Sequence, residues 1–242
     1  MGEGATRSLT ARRSRPYAYL LLARGSNLPT VWTNVLAGTI ASGAAFVKAD
    51  VTRVAFAVSL LYTAGMFLND AFDREFDAKA RPSRPIPTGD VTAREAFLTG
   101  WMLLAAGLLV IAVEGRAASL IWAALLAAAI VFYNYRHKQN PFGPVVMGVC
   151  RGLVYCVAAA AAATVTRAVG VGAVTLTAYV IGLTLVAKYA GRRAGWMIPL
   201  LIAGISIVDA AVIAASGGGA LVWIALAGFP ATLLLQRVVP GT

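Results

Sequence analysis

An all-α, polytopic transmembrane bundle of about eight helices is the fold class that three features of this sequence predict. Apolar residues make up 59% of the chain and charged ones only 13%, where a soluble domain carries roughly 25% charged residues. Apolar runs recur from end to end, several of them near the ~20 residues that cross a ~30 Å hydrocarbon core. None alternates polar with apolar as a membrane strand would, which leaves helices.

The elements follow in order. The polar, basic start of the chain has no short apolar region with a small-residue cleavage site after it. Residues 1–23 therefore read as a disordered cytoplasmic tail and not as a signal peptide. A single transmembrane domain is expected over 24–242. Its apolar runs fall at about Leu28–Val47, Val51–Leu68, Phe97–Val113, Ala117–Tyr135, Gly143–Ala163, Ala168–Ala187, Trp196–Ala215 and Ala220–Leu235. Gly38, Gly65, Pro199 and Pro230 lie inside them and are tolerated in membrane helices.

An even number of spans returns both termini to one side. That side holds 16 Lys and Arg, against four (Lys48, Arg53, Arg116, Arg167) on the other, with Arg151 inside a span. Cations accumulate on the cytoplasmic side, so both termini and the loop after the second span are expected there. The net charge of +11 then belongs to a surface facing membrane lipid, and nucleic acid is not the expected partner. Cys150 and Cys156 share a helix with Cα atoms ~9 Å apart by helical rise, too far for a disulfide.

The second span ends in "NDAFDREFDAKARPSRPIPTG". Asn69, Asp70, Asp73 and Asp77 stand at i, i+1, i+4 and i+8, within a ~100° arc of one helical face. Three carboxylates and an amide oxygen on one face repel each other unless a cation sits among them. Hard oxygen donors suit Mg2+, which takes one or two carboxylates and completes its shell with water and substrate phosphate oxygens. Glu75 points elsewhere. The alternative is a solvated helix end whose acids pair with Arg74, Lys79 and Arg81. Against it stands the continuity with a membrane helix and the cations that follow, Lys79, Arg81 and Arg84. A diphosphate needs both metal to bridge its oxygens and guanidinium forks to grip them.

"NDAFDREFD" resembles the N-D-x-x-D-x-x-x-D motif of the UbiA superfamily of intramembrane prenyltransferases, and "RPSRPIPTG" resembles the segment that follows it. "ARGSNLPTVW" is similar to the family's early Arg/Asn pair, with Arg24 and Asn27 matching. "YNYRHK" is similar to its Y-x-x-x-x-K segment, with Tyr133 and Lys138 matching, and "GVCRGL" to its G-x-x-R-G, with Arg151 matching. Order and spacing agree from about Arg24 to Leu153.

The resemblance implies a bundle of eight or nine helices around a central cavity. It implies a prenyl diphosphate bound through Mg2+ at the cytoplasmic end, with its tail in an apolar channel. Loss of diphosphate leaves an allylic cation, which a lipophilic acceptor, aromatic or other, attacks. Carried over, it puts Asn69, Asp70, Asp73 and Asp77 on the metal. Asp70, Asp73 and Arg151 take catalytic roles, and Arg24, Asn27, Lys79, Arg81, Arg84 and Lys138 bind substrate.

The family's second Asp-rich motif, near the end of the sixth helix, has no counterpart. "GLTLVAKYAGRRAG" stands there without an acid. Asp209, the next acid, is ~20 Å from the cytoplasmic end by helical rise. Three accounts stay open: Lys188, Arg192 and Arg193 replace the second metal as substrate ligands, or the chain binds without chemistry, or the basic run is only an anchor. The readings of function are accordingly a prenyltransferase, a terpene cyclase of the same superfamily, and a non-catalytic lipid-diphosphate binder or transport component.

Other residues carry smaller expectations. Arg151, inside hydrocarbon, should face the cavity, because an unsatisfied intramembrane Arg costs ~2.5–3.5 kcal/mol. Asp209 needs an internal partner. The six alanines Ala158–Ala163 read as close packing. His137 reads as surface. Tyr62, Phe67 and Phe72 are either core aromatics or π-faces for a carbocation.

Overall fold

A computed structural model describes residues 13–113, 116–136, 141–189 and 195–241. Among them all regular structure is helical: α1 (Arg15–Ala23), a 3-10 turn (Gly25–Asn27), α2 (Leu28–Ala41), α3 (Lys48–Phe72), α4 (Arg74–Ala80), α5 (Ala93–Val113), α6 (Ala117–Arg136), α7 (Gly143–Ala162), α8 (Arg167–Tyr189), α9 (Met197–Ala203), α10 (Ile205–Ala215) and α11 (Leu221–Gln236). Six segments are long and apolar enough to cross a membrane: α3, α5, α6, α7, α8 and the α9–α10 pair. With the shorter α2 and α11 these account for the eight runs read from sequence.

Differences lie at the ends. The expected tail, 1–23, is helical from Arg15 onward, with Ala18 and Leu22 fully buried. "YAYLLLA" supplies an apolar face, and Pro16 sits in the first turn, where its missing N–H costs nothing. The folded unit therefore begins before Arg24. α2 stops at Ala41, six residues short of the expected Val47, because Gly43 takes a left-handed φ of 79° that ends the helix. α3 instead runs beyond its apolar core, and its helical bonding continues through Asp73 into α4.

α2 is the hub. Twelve of its 14 residues are buried, as befits a helix enclosed on all sides. Val31 and Val35 join a core with α3, α5, α6 and α7, while Leu36, Ala37 and Ile40 join another with α7, α8, α10 and α11. Two close approaches fix the bundle. Leu61 and Leu68 of α3 seat against Gly107 and Gly100 of α5, where a Cβ would come within 2.8 Å of either leucine. Gly38 of α2 lies so near α7 that a Cβ would meet the Tyr155 carbonyl at 2.6 Å. Between α9 and α10 the helix is interrupted at Gly204, where the Tyr179 hydroxyl donates to the Leu201 carbonyl at 2.8 Å, a bond inserted into the helical ladder. Leu98, Met102, Leu109 and Val113 line the outer face of α5 in the open, a surface suited to lipid and not to water.

Thr92 and Glu95 close a reciprocal cap at the start of α5: the Thr92 N–H donates to Glu95 Oε2 at 2.8 Å and the Glu95 N–H to Thr92 Oγ1 at 3.1 Å. The preceding loop turns at Gly89, φ 79°, and buries Val91. This anchored loop positions Arg84.

Substituting Gly38 by Ala drives a methyl into α7 backbone that cannot give way, so a loss of about 1–3 kcal/mol of stability is expected. Gly182→Ala, at a helical position with open space, is the control. Thermal unfolding in one detergent compares the two.

Candidate functional site at the acidic helix end

The one-face arrangement expected of the second span is what the structure shows. Asn69, Asp70, Asp73 and Asp77 lie on the nearly continuous α3–α4 helix, each at most 8% exposed. Glu75 is turned outward and pairs with Arg74.

Asp70 and Asp77 are held by Arg24 and Arg84. Arg24 Nη2 donates to Asp70 Oδ1 at 2.9 Å and to Asn69 Oδ1 at 3.3 Å, while its Nη1 approaches Met66 Sδ at 3.1 Å. Arg84 Nη1 donates to Asp70 Oδ1 at 3.0 Å and to Asp77 Oδ2 at 2.9 Å. One carboxylate oxygen of Asp70 thus accepts two guanidinium groups, and Arg84 bridges two acids. Burial pulls the Arg84 guanidinium below its ordinary pKa, and Asp70 pushes it back up; a guanidinium stays charged regardless. Arg24 reaches Asp70 from a left-handed backbone, φ 44°, which is uncommon for a residue with a side chain and marks a constrained site. Lys79 and Arg81, expected to bind substrate, are exposed on the outer surface.

Asp77 Oδ1 is buried without a hydrogen-bond partner among the described residues, an arrangement costly for a charged oxygen and relieved by a cation. Among the described residues no three His, Cys, Asp or Glu side chains are close enough as placed to hold an ion alone. That is compatible with Mg2+ of the kind bound through one or two carboxylates plus phosphate oxygens.

A second polar layer lies deeper. Asn27 donates to Tyr62 Oη and to the Gly241 carbonyl, both at 3.1 Å, and accepts from Gln236 at 3.2 Å. The Tyr62 ring faces Arg151, whose Cζ is 5.3 Å from its centroid. Arg151 Nη1 donates to Asn34 Oδ1 at 2.9 Å. Asp209 finds its internal partners in Asn34, Thr33 and Tyr155. Tyr62 stands eight residues before Asp70 on α3, so Arg151 lies ~12 Å below the acidic end by helical rise.

Two polar residues in apolar runs escaped the sequence reading. Asn134 accepts from Asn69 at 3.3 Å and donates to the Gly65 carbonyl at 3.0 Å. Asn34, fully buried, joins Arg151 to Asp209. Each was visible as an amide inside hydrocarbon. Phe67 packs on Tyr19 and Phe72 edge-on to Phe97: both are core aromatics. Lys188 ends α8 exposed, its Nζ over the Tyr189 ring. Arg192, Arg193, Lys138 and His137 lie outside the described residues. The alanine run has two uses: Ala158–Ala160 are packed, while Ala161–Ala163 with Ala158 also line a cavity of about 420 Å3 opening beside Arg53 and Arg116.

Compared with protein-family profiles, residues 27–239 match the UbiA prenyltransferase family. The chain belongs to the UbiA prenyltransferase family. It is a multi-pass integral membrane protein, as its six long apolar segments require. Relatives include two proteins named digeranylgeranylglyceryl phosphate synthase. The one from Methanopyrus kandleri is 36% identical over 126 residues, 51% of this chain and 45% of that protein. The one from Methanothrix thermoacetophila is 33% identical over 123 residues, 50% and 46% of the two chains. The matched segment thus spans less than half the length of these curated relatives. Among solved structures, a digeranylgeranylglyceryl phosphate synthase aligns with a TM-score of 0.63 at 21% identity, covering 93% of this chain and 95% of that one. A UbiA homolog from Aeropyrum pernix K1 gives 0.59 at 18% identity, covering 89% and 95%. At such identities the likeness shows the UbiA fold alone.

Arg84→Gln leaves two buried carboxylates short of a cation, so a loss of order 3 kcal/mol is expected. Arg81→Gln, on the exposed surface, should change stability little. Chemical or thermal unfolding of both variants beside the parent protein checks this.

Proposed function

We propose that this UbiA family member transfers a prenyl group from an isoprenoid diphosphate to a lipophilic acceptor within the membrane. The observation that carries the reading is the buried face Asn69–Asp70–Asp73–Asp77, gripped by Arg24 and Arg84, with one Asp77 oxygen left without a partner among the described residues. Family membership and the intact first motif support it. One or two carboxylates of the Asn69–Asp70–Asp73–Asp77 face, together with phosphate oxygens, would hold Mg2+, which when bound draws charge from the leaving diphosphate.

The chain's own residues supply the rest. A diphosphate arriving beside Asp70 meets two guanidinium groups already in place, and these stabilise the charge that grows as the carbon–oxygen bond breaks. The electron pair leaves with diphosphate. The allylic carbon left behind is attacked by an acceptor oxygen or carbon, which then gives up a proton. Apolar walls keep water from that cation. Among acceptors, the hydroxyl of a glyceryl phosphate lipid is favoured over an aromatic ring, because the curated relatives are named for such a product. Non-catalytic diphosphate binding is the second reading, favoured by the acid-free end of the sixth span. The acidic mouth and both termini are assigned to the cytoplasm on the 16-to-four charge asymmetry.

Asp70→Asn and Asp73→Asn should each abolish Mg2+-dependent release of diphosphate while leaving folded protein, and chelation by EDTA should do the same. Activity near that of the parent in either variant would remove the metal assignment. A reporter fused within residues 74–94 should read cytoplasmic and one beside Arg116 external; the reverse pattern overturns the orientation.

A further inference from the structure

Arg151 is held at one edge and open at the other. Its Nη1 bonds Asn34 Oδ1 at 2.9 Å and its face lies on Tyr62. Among the described residues its remaining nitrogens make no hydrogen bond. Asn34 sets this pose, and Asp209 sets Asn34.

The Asn34 amide nitrogen donates to both oxygens of Asp209 at 2.9 Å. An amide is planar, so pinning its nitrogen against a carboxylate turns its oxygen the other way, toward α7 and Arg151. Tyr155 Oη donates to the same carboxylate at 2.6 Å and Thr33 Oγ1 completes it. Asp209, Asn34 and Tyr155 are all 0% exposed. A flipped Asn34 would set carbonyl against carboxylate and amine against guanidinium, two mismatches in a low-dielectric interior. The charges of Arg151 and Asp209 therefore balance through an amide and not by contact. A direct pair would have engaged the guanidinium fork two-pronged and covered it. The spacer satisfies an otherwise costly intramembrane Arg while leaving most of its donors uncommitted.

We propose that Asp209 is a positioning residue, which through Asn34 orients Arg151 and keeps its free edge available to substrate. The part concerning substrate rests on the proposed prenyl transfer; the orientation of Arg151 does not. In Asp209→Asn the residue keeps its shape but can donate as well as accept, so Asn34 is no longer pinned in one orientation.

The test uses full-length protein in lipid nanodiscs, labelled with 15N-arginine. The Nε–H resonance of Arg151, assigned by its absence in Arg151→Lys, should shift or broaden in Asp209→Asn. Asn34→Ala breaks the same relay with the carboxylate intact and should act alike. An unchanged resonance in a folded Asp209→Asn or Asn34→Ala protein overturns the proposal. In diphosphate release, Asp209→Asn should lower kcat/KM about tenfold, and should cause no further loss when Arg151→Gln is already present. An equal loss in both backgrounds would show that Asp209 acts independently of Arg151, and would also overturn it. If the parent protein releases no diphosphate, prenyl transfer fails as a reading, and the resonance alone still decides the positioning.

Discussion

Asp70 must stay ionised at the end of a membrane helix, where water is scarce, and that constraint organises the site around it. Two guanidinium groups from distant parts of the chain converge on one of its oxygens. Arg24 comes from the left-handed turn after α1 and Arg84 from the loop fixed by the cap of α5. Both elements also pack against α3, Ala18 and Leu22 of α1 and Val91 of the loop sharing a core with Phe67 and Ala71. The helix α1, the turn at Gly89 and the capping pair Thr92–Glu95 can all be understood as scaffolding that brings cations to one carboxylate. Because breaking such a buried pair is far costlier than forming it is favourable, the arrangement specifies the site more than it stabilises the fold.

Below this layer the solution is different. Arg151 and Asp209 never touch, and a buried amide passes polarity between them. The outer layer uses direct ion pairs. The inner layer joins its charges through an amide and a carboxylate that are fully buried. Depth in the membrane thus decides whether charges meet directly or through an intermediary, since a mismatch deep in hydrocarbon has no water to soften it.

Much of this was legible in the chain. Apolar run lengths revealed the six long spans, and the i, i+1, i+4, i+8 spacing placed four polar groups on one face. Local signals fail where partners are remote. Nothing near Asp70 distinguishes Arg84, which holds it, from Arg81, which is exposed. Arg24 and Asn27 came from family resemblance, and only the folded chain shows Arg24 bonding Asp70 from 46 positions away. α1 was missed because its apolar face is too short to count as a span, though it is long enough to cover α3. Asn34 and Asn134 were overlooked because charges draw attention first, while an amide is as demanding in hydrocarbon.

The notches at Gly100 and Gly107 have a mechanical meaning. They stand seven residues apart and take leucines seven residues apart on α3, so the two helices mesh like a rack with two teeth. A slip of one position would lift a leucine out of its recess and set a neighbouring side chain against backbone. α3 and α5 therefore travel as one stiff beam, with the acidic end at its tip. The loop from Arg81 to Val91 is tied to that beam at both ends, so Arg84 is held in place against Asp70 and Asp77 at its tip.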